Sequence, residues 1–364
     1  MIKKIIVVAG ARPNFIKIAH LVRQLKRDKS FECRLIHTGQ HYDFEMSEIF
    51  FQELDIPKPD VFLGVGSGSH AEQTAKIISS FEKILLSDPP DLVVVAGDVN
   101  STLACSLTAT KLNIKIAHIE AGLRSFDRTM PEEINRIVTD TLSMIHFVSE
   151  QSGLDNLRRE GIDMKTVHLV GNTMIDPLAA TLKTIDRSKV LKKVGVRPRS
   201  YAVITLHRPS NVDSAESLES VLQILKDVGS RVPLVYPIHP RTRASLKAHD
   251  MLERFSSLNG LIMTEALGYI DFIKLVKESA FVLTDSGGIQ EETTWLRVPC
   301  LTMRDTTERP STTLIGTNKL VGTDANDIAR SVDQILKGKW KKGRIPKYWD
   351  GRTTERIVDL LRKA

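Results

Sequence analysis

Short runs rich in valine, isoleucine and leucine alternate with amphipathic segments along almost the whole chain, and this alternation constrains the fold most. In the first half the apolar runs lie at residues 4–9, 33–37, 92–96, 115–119 and 145–149. In the second half they lie at residues 201–206, 234–238, 260–263, 281–284 and 300–303. Continuous apolar runs of this length are typical of strands buried on both faces, so we predict parallel sheets covered by helices.

The length of 364 residues exceeds what one hydrophobic core usually serves. Amphipathic segments connect the predicted strands, at residues 16–27, 71–86, 102–112, 215–227, 270–278 and 288–296. Because the alternation restarts after about residue 171, we predict an α/β protein with two doubly wound, Rossmann-like domains, residues 1–170 and 171–350. Residues 351–364 are expected to form a helix that packs back on the first domain.

Composition narrows the classes of function. No apolar run approaches the roughly 20 residues that cross a bilayer, so no membrane contact is expected. The net charge of +7 includes a basic run at 337–344, but acids and bases alternate elsewhere, so nucleic-acid binding is not expected. The apolar start is predicted to be a buried strand rather than a signal peptide, which favours a cytoplasmic protein. Cys33, Cys105 and Cys300 are too widely spaced for a disulfide framework or zinc site and are expected to be reduced.

Residues 118–136 concentrate acids and arginines directly after an apolar run. The charged residues are Glu120, Arg124, Asp127, Arg128, Glu132, Glu133 and Arg136. A strand is predicted to end at Glu120, and a helix is predicted to begin near Pro131. Because the carboxyl ends of parallel strands open onto the binding crevice of α/β enzymes, this segment is a candidate site.

Asp98 follows the apolar run at 92–96, and Ser101 or Thr102 is expected to cap the next helix. Asp98 could be a simple turn residue, but its place at a strand end beside the strand of Glu120 favours a role in the site. If the two strands are neighbours, their carboxylates converge on one crevice, where they could move protons to and from carbon.

A turn at residues 10–17 leads from the first strand into a helix. Arg12 and Lys17, with the N–H groups of the helix start, could hold a phosphate there, although a plain turn between strand and helix is the alternative. The glycine spacing is neither a dinucleotide fingerprint nor a Walker loop, which disfavours nicotinamide or ATP. His207 is predicted to end the first strand of the second domain and to face its crevice.

The pattern most typical of an anion-binding site is a strand followed by small residues and then by a helix. Those small residues are Ser286, Gly287 and Gly288. The glycines allow close backbone approach, the helix start attracts a pyrophosphate, and Glu292 could hold a pair of sugar hydroxyls. Arg304 and Arg309, after the next strand, are suited to bidentate contact with phosphate or with uracil.

Taken together, these motifs resemble the non-hydrolysing UDP-N-acetylglucosamine 2-epimerases over nearly the whole chain. The similarity is carried by Gly-Ala-Arg-Pro-Asn-Phe-Ile-Lys at 10–17, Gly-Gln-His at 39–41, Gly-Asp at 97–98, His-Ile-Glu-Ala-Gly-Leu-Arg at 118–124, Pro-Glu-Glu-Ile-Asn-Arg at 131–136, His-Arg at 207–208, Asp-Ser-Gly-Gly-Ile-Gln-Glu-Glu at 285–292 and Arg-Asp-Thr-Thr-Glu-Arg-Pro at 304–310. Several of these motifs are long, and they follow the family's order.

The resemblance implies a GT-B-like fold, with a UDP-sugar in the cleft between two Rossmann-like domains, and a cytoplasmic homodimer. It implies that UDP leaves across C1–C2 to give a bound 2-acetamidoglucal, and that re-addition from the other face inverts C2. Nicotinamide is not implied, because a proton rather than a hydride is removed, and no metal is expected, because the sequence shows no cluster of metal ligands. The implied catalytic residues are Asp98, Glu120, Glu132 and His207. The implied substrate-binding residues are Arg12, Lys17, Phe272, Ser286, Gly287, Gly288, Glu292 and Arg309.

Within that set, His207 is implied to interact with the leaving diphosphate, the Ser286 helix start to bind the diphosphate, and Glu292 to bind ribose. Which carboxylate removes the C2 proton stays open. Asp127 and Glu133 are expected to be structural or to tune substrate choice.

Departures from the family pattern bear on substrate and regulation. A carboxylate is missing at Asn14 and again at Ser210, within His-Arg-Pro-Ser-Asn at 207–211. The Gln-His-x-Gln element that binds an activating UDP-GlcNAc in some members is Gln-His-Tyr-Asp at 40–43, so allosteric activation is not expected.

Several alternatives remain for the activity. Residues 125–130 also resemble epimerases acting on UDP-2,3-diacetamido uronic acids, whose carboxylate Arg128 could accommodate, whereas Glu-Arg-Pro at 308–310 favours plain UDP-GlcNAc. A hydrolysing 2-epimerase, a GT-B glycosyltransferase and a non-catalytic UDP-sugar sensor are the remaining alternatives.

Overall fold

A computed structural model of the chain describes residues 2–40 and 56–363. It divides into two units, residues 1–180 with 347–364 and residues 181–346. Each unit is built on one parallel sheet. Among the described residues, no helix is both long and apolar enough to cross a membrane.

The first unit contains a seven-stranded sheet in the order β3-β2-β1-β4-β5-β6-β7. Its strands are β1 (Lys3–Ala9), β2 (Phe31–His37), β3 (Val61–Phe62), β4 (Leu92–Ala96), β5 (Lys115–Ile119), β6 (Ile145–Val148) and β7 (Val167–Leu169). All pair in parallel, and β4 returns to the other side of β1. This order is that of a doubly wound fold, and the strand order reverses between β1 and β4.

Helices connect these strands and cover the sheet. They are α1 (Arg12–Arg27), α2 (His70–Ser87), α3 (Asn100–Lys111), α4 (Pro131–Leu142), α5 (Gln151–Arg159) and α6 (Ile175–Arg187), with a 3₁₀ turn at Met164–Thr166. Their starts follow local chemistry: Ser69 and Glu72 form a capping box before α2, and Pro131 occupies the first turn of α4. The core contains Val93, Val95 and Phe81, all fully buried.

The second unit contains a six-stranded parallel sheet in the order β10-β9-β8-β11-β12-β13. Its strands are β8 (Ala202–Thr205), β9 (Leu234–Pro237), β10 (Leu261–Thr264), β11 (Phe281–Thr284), β12 (Cys300–Thr302) and β13 (Asn318–Leu320). Its helices are α7 (Val190–Val194), α8 (Pro209–Val212), α9 (Ala215–Gly229), α10 (Pro240–Ala248), α11 (Leu252–Ser256), α12 (Tyr269–Glu278), α13 (Gly287–Leu296), α14 (Pro310–Leu314) and α15 (Ala325–Leu336). The strand order reverses between β8 and β11.

The predicted fold class is confirmed: both sheets are parallel and each is doubly wound. The sequence did not reveal β3, β7 and β13. These are edge strands of two or three residues, and an edge strand is not buried on both faces, so it leaves no long apolar run. As expected, no cysteine is in a disulfide.

The last helix, α16 (Thr353–Lys363), packs against α1 within the first unit. Asp176, in the first turn of α6, accepts hydrogen bonds from the N–H groups of Thr353 at 3.1 Å and Thr354 at 2.6 Å. These N–H groups at a helix start have no partner within their own helix. The contact explains why the first unit extends to residue 180, beyond the expected boundary at 170.

Replacing Asp176 with alanine should loosen α16, because two buried N–H groups lose their acceptor. The free energy that holds α16 against the first unit should fall by about 1–3 kcal/mol, because buried donors are left unpaired. Amide hydrogen exchange of the 353–363 peptide should therefore accelerate at least several-fold. Asp359→Ala, which removes only an exposed pair with Arg362, is the matched control and should leave exchange unchanged. Equal protection in both variants would contradict this role.

Candidate active site

In each sheet the site residues follow strands that lie at, or next to, the point where the strand order reverses. Asp98 comes after β4 and Glu120 directly after β5, and these two strands are neighbours. In the second unit His207 comes after β8 and Ser286 after β11, which are also neighbours. Carboxyl ends beside such a reversal form the usual binding crevice of open α/β sheets.

Glu120 and Lys17 form a nearly buried ion pair. Lys17 Nζ, from α1, lies 2.7 Å from Glu120 Oε2, and their side chains are only 10% and 3% exposed. Glu120 has a positive φ of 71°, a conformation that residues other than glycine rarely adopt. Gly97 faces this pair, since a Cβ built there would lie 2.9 Å from Lys17 Nζ. Gly97 itself has a φ of 71°, which favours glycine at the end of β4, directly beside the lysine and the carboxylate.

Asp98 is held by an arginine from α4. Arg136 donates to Asp98 Oδ2 from Nε at 3.0 Å and from Nη2 at 2.6 Å. The Asn135 side-chain amide donates to the Asp98 carbonyl oxygen at 2.8 Å. Asp98 thus has a fixed backbone and one fixed carboxylate oxygen, while its side chain is 28% exposed.

Glu132 and Glu133, although adjacent in α4, have different surroundings. Glu132 is half-buried, and within the described residues its carboxylate makes no hydrogen bond or ion pair. Glu133 is buried and accepts from the N–H groups of Ser125 and Phe126. Asp127 accepts from the backbone and hydroxyl of Thr129 within a turn. The first unit therefore brings Asp98, Glu120 and Lys17 to one edge and gives Glu133 and Asp127 structural contacts.

Other polar residues of this edge were not singled out as site residues from the sequence. Asn14 accepts from the N–H of Ala11 at 3.0 Å and donates to the carbonyl of Ala96 at 2.8 Å, so it ties the turn after β1 to the end of β4. His118 contacts Asp140 at 2.6 Å and the carbonyl of Gly97 at 2.9 Å. A histidine inside an apolar run is the one signal that could have indicated this pairing.

Burial favours the neutral acid at Asp140, but His118, Arg124 and the N–H of Gly122 together hold its pKa below the ordinary value. Asp140 is therefore a buried anion that binds His118, and His118 in turn supports the backbone at Gly97. These contacts fix the Gly97 carbonyl, and with it the peptide that precedes Asp98.

The prediction that Ser101 or Thr102 caps the helix after Asp98 was wrong. Helix α3 begins after Val99, and neither Ser101 nor Thr102 caps it. Instead, Gln40 Oε1 accepts from the N–H of Ser101 at 3.0 Å and from its hydroxyl at 2.7 Å. The cap comes from a residue after β2, which no local sequence pattern could indicate.

In the second unit, Asp285 organises the ends of β8 and β11. It is fully buried and lies 3.0 Å from His207 Nδ1. It also accepts from the N–H groups of His207 and Arg208 and from the Asn211 amide. Burial alone would raise the pKa of Asp285, but the hydrogen bonds and charge of His207, with Asn211 and the Arg208 N–H, lower it. This leaves the His207 side chain oriented and 37% exposed.

Ser286, Gly287 and Gly288 lie at the start of α13, where they are half-buried. A Cβ at Gly287 would lie 2.8 Å from Glu308 Oε1, so the segment after β12 comes close to the start of α13. Gln290 Oε1 accepts from the Thr307 hydroxyl at 2.7 Å and from the Asn318 amide at 3.0 Å, which fixes that segment to α13. A helix start with accessible glycines can bind an anionic group.

The remaining predicted residues of the second unit lie around α12 and α13. Glu292 is buried and contacts Tyr269, whose pKa is raised by burial and by the Glu292 carboxylate. Arg309 is buried and its Nε lies 2.9 Å from Glu291, so part of its guanidinium serves an internal pair. Phe272, on α12, is half-buried beside the apolar core.

Two expectations fall partly outside the described structure. Arg12 is the first residue of α1, but its side chain lies outside the described part. Of the predicted activator element, Gln40 is described and residues 41–43 are not. Within residues 2–40 and 56–363, no group of three or more acidic, histidine or cysteine side chains could hold a metal ion.

Comparisons with known proteins decide the family. A family model described as UDP-N-acetylglucosamine 2-epimerase matches residues 23–362. A UDP-N-acetylglucosamine 2-epimerase homolog from Methanococcus maripaludis is 42% identical over 361 residues, 99% of each chain. This chain belongs to the UDP-N-acetylglucosamine 2-epimerase family. The family is one of isomerases.

Two further relatives are named for different UDP-sugars. The crystal structure of Methanocaldococcus jannaschii UDP-GlcNAc 2-epimerase in complex with UDP-GlcNAc and UDP is 40% identical, covers 99% of this chain and 100% of that chain, and has a TM-score of 0.91. The UDP-2,3-diacetamido-2,3-dideoxy-D-glucuronate 2-epimerase of Pseudomonas aeruginosa is 38% identical over 364 residues, 99% of each chain. Enzymes for both sugars therefore share this chain's length and fold family.

The lowered pKa of Asp285 gives a pH-dependent prediction for this epimerase-family chain. A carboxylate whose pKa is lowered on folding stabilises the fold fully above its unfolded value, near 3.9, and loses that contribution as the pH falls through its folded value. Asp285→Asn should reduce the free energy of unfolding by about 1–3 kcal/mol at pH 7. The difference from the unmodified chain should shrink below about pH 4.

Urea denaturation between pH 3 and pH 7 measures this difference. Asp305→Asn, at an exposed carboxylate of the same unit, should leave the unfolding curve unchanged at every pH. If the loss of unfolding free energy in Asp285→Asn stayed constant down to pH 3, the charge of Asp285 would contribute nothing to folding.

Proposed function

We propose that this chain interconverts UDP-GlcNAc and UDP-ManNAc by inversion at C2, supplying ManNAc units for surface polysaccharide. The observation that carries the proposal is the convergence of Asp98, Glu120 and Lys17 at the carboxyl ends of β4 and β5. Carboxylates at a strand edge can exchange a proton with carbon, and an oriented cation beside them balances their charge. Family membership and the relative that was crystallised with UDP-GlcNAc support the choice of substrate.

The proposed reaction begins with removal of the C2 proton by a carboxylate while the C1–oxygen bond to UDP breaks. The electron pair of the C2–H bond forms the C1=C2 double bond of 2-acetamidoglucal, and UDP carries away the pair of the broken C1–O bond. Return of a proton to the other face of C2 and re-addition of the UDP oxygen at C1 complete the inversion. No electrons are exchanged with a redox partner, so we propose no nicotinamide cofactor.

The residues take the following proposed roles. Asp98, Glu120 and Glu132 are the acid and base groups, and the assignment of the C2 base among them is open. His207, oriented by Asp285, contacts the leaving diphosphate. Residues 286–288 at the start of α13 bind the diphosphate, and Glu292 binds the ribose hydroxyls. Arg12, Lys17, Phe272 and Arg309 complete the substrate contacts. The chain is also proposed to act as a cytoplasmic homodimer.

A second candidate substrate is a UDP-2,3-diacetamido uronic acid. It is favoured by the 38% identical relative from Pseudomonas aeruginosa and by the exposed position of Arg128, near the carboxylate-bearing helix α4. A guanidinium at this position could pair with a sugar carboxylate. UDP-GlcNAc has no such carboxylate, so Arg128→Ala should leave turnover of UDP-GlcNAc almost unchanged and should raise the KM for the uronic acid at least tenfold.

A proton NMR time course with UDP-GlcNAc distinguishes the activities in one experiment. The proposal predicts UDP-ManNAc approaching an equilibrium mixture, with no accumulation of free UDP. Accumulation of UDP with free ManNAc would identify a hydrolysing enzyme, and turnover of only the diacetamido uronic acid in a parallel tube would identify the second substrate. Binding without turnover of either sugar would contradict the proposal and favour a sensor.

Asp98→Asn tests the carboxylate role in the same assay. Asparagine keeps the shape but cannot accept a proton from carbon, so kcat should fall by about 100-fold or more, within the range of general acid–base catalysis. Glu355→Gln is the matched control, because Glu355 pairs with Arg352 on the surface of the same unit, where the two side chains are 49% and 68% exposed. The control should retain kcat within about twofold, as expected for a surface pair.

A further inference from the structure

Glu133 follows the predicted catalytic residue Glu132 in α4. It is buried and accepts four hydrogen bonds, whereas an acid on a helix surface is usually solvated. It is 1% exposed. Its Oε2 accepts from the Ser125 N–H at 2.9 Å, from the Ser125 hydroxyl at 3.0 Å and from Arg136 Nη1 at 2.5 Å, and its Oε1 accepts from the Phe126 N–H at 2.9 Å. All of these donors lie on α4 or on the segment that precedes it. A carboxylate with this many hydrogen bonds is fixed in position.

Arg136 links Glu133 to Asp98 by donating hydrogen bonds to both carboxylates. It is 4% exposed and forks between two carboxylates, with Nη1 on Glu133 and with Nε and Nη2 on Asp98 Oδ2. Because both contacts to Asp98 are on Oδ2, the direction of the carboxylate is set. Removing one partner of a buried ion pair leaves the other charge poorly compensated, so Arg136 should move if Glu133 loses its charge.

The same carboxylate holds a strained segment of backbone. Phe126 has a φ of 60° and is 67% exposed, an unusual conformation for a bulky residue that is not covered by the core. Such a conformation persists only where the surroundings hold it, and the hydrogen bonds from Ser125 and Phe126 to Glu133 supply that restraint. The segment at 125–126 and Asp98 are therefore anchored to one group.

We propose that Glu133 is a positioning residue that fixes the direction of the Asp98 carboxylate through Arg136. This proposal rests on the proposed epimerase function, in which Asp98 exchanges a proton with the sugar. Glu133 touches neither Asp98 nor the reacting atoms, and its effect passes through the guanidinium of Arg136. A displacement of about 1 Å in a catalytic group is enough to cost on the order of 100-fold in rate.

The test compares Glu133→Gln with Glu355→Gln in the epimerisation assay. Glutamine retains an oxygen acceptor for the backbone but loses the charge that holds Arg136. We expect kcat to fall about 10- to 100-fold in Glu133→Gln while KM for UDP-GlcNAc changes little, since the carboxylate acts on the chemical step. Glu355→Gln removes a carboxylate from another arginine at the same i,i+3 spacing, but at an exposed pair away from these contacts, and should leave both constants unchanged.

A double-mutant cycle separates positioning from a general structural effect. In an Asp98→Asn background, Glu133→Gln should cause no further loss of kcat, because two groups that act through one path are not additive. Full additivity, or an undiminished kcat in the single variant, would overturn the proposal. Arg136→Lys is the second variant if Glu133→Gln does not fold: it keeps the charge but cannot contact both carboxylates as a fork, and the same fall in kcat is expected.

A crystal structure of Glu133→Gln tests the proposal independently of activity. Arg136 should lose at least one of its two contacts to Asp98 Oδ2. Unchanged contacts would overturn the proposal even if the unmodified chain proved inactive on UDP-GlcNAc. Inactivity of the unmodified chain together with a displaced Arg136 would instead contradict the proposed function and leave the positioning contact supported.

Discussion

The parallel alignment of β1, β4 and β5 is the constraint on which the rest of the first unit depends. Parallel strands end at the same edge, so the residues after β4 and β5 meet there although 21 positions separate Gly97 from His118, whose ring contacts the Gly97 carbonyl. The positive φ values of Gly97 and Glu120 turn the chain sharply at these ends. The acids then face Lys17 and Arg136 from two helices, and the strand register therefore determines which charges can meet.

Each unit uses buried carboxylates to hold the side chains at the carboxyl ends of its own strands. In the first unit Asp140 holds His118 under Gly97, and Glu133 holds Arg136 against Asp98. In the second unit Asp285 holds His207. Buried charges are costly unless they are paired and hydrogen-bonded, and here the pairing also fixes the side chains at the strand ends. Stability and site geometry are thus supplied by the same contacts.

The sequence predicted the parts whose signal is local. Long apolar runs identified the central strands, and the position of Asp98, Glu120 and His207 after those runs placed them at strand ends. Contacts between distant segments could not be predicted: the Gln40 cap on α3 and the Asn14 bridge to Ala96 depend on side-chain directions that appear only when the sheet has formed. The family resemblance indicated candidate functional residues, but it did not indicate that Arg309 pairs with Glu291 or that Glu133 holds Arg136.

In the proposed reaction, carboxylates at the end of the first sheet exchange a proton with C2 of a UDP-sugar. Incubation of the chain with UDP-GlcNAc in D2O, followed by mass spectrometry and NMR of the recovered nucleotide sugar, measures this exchange. Deuterium is expected to enter at C2 of both epimers, one atom per molecule, because the abstracted proton exchanges with solvent before it returns. Formation of UDP-ManNAc with hydrogen retained at C2, or no exchange at all, would contradict the proposed reaction.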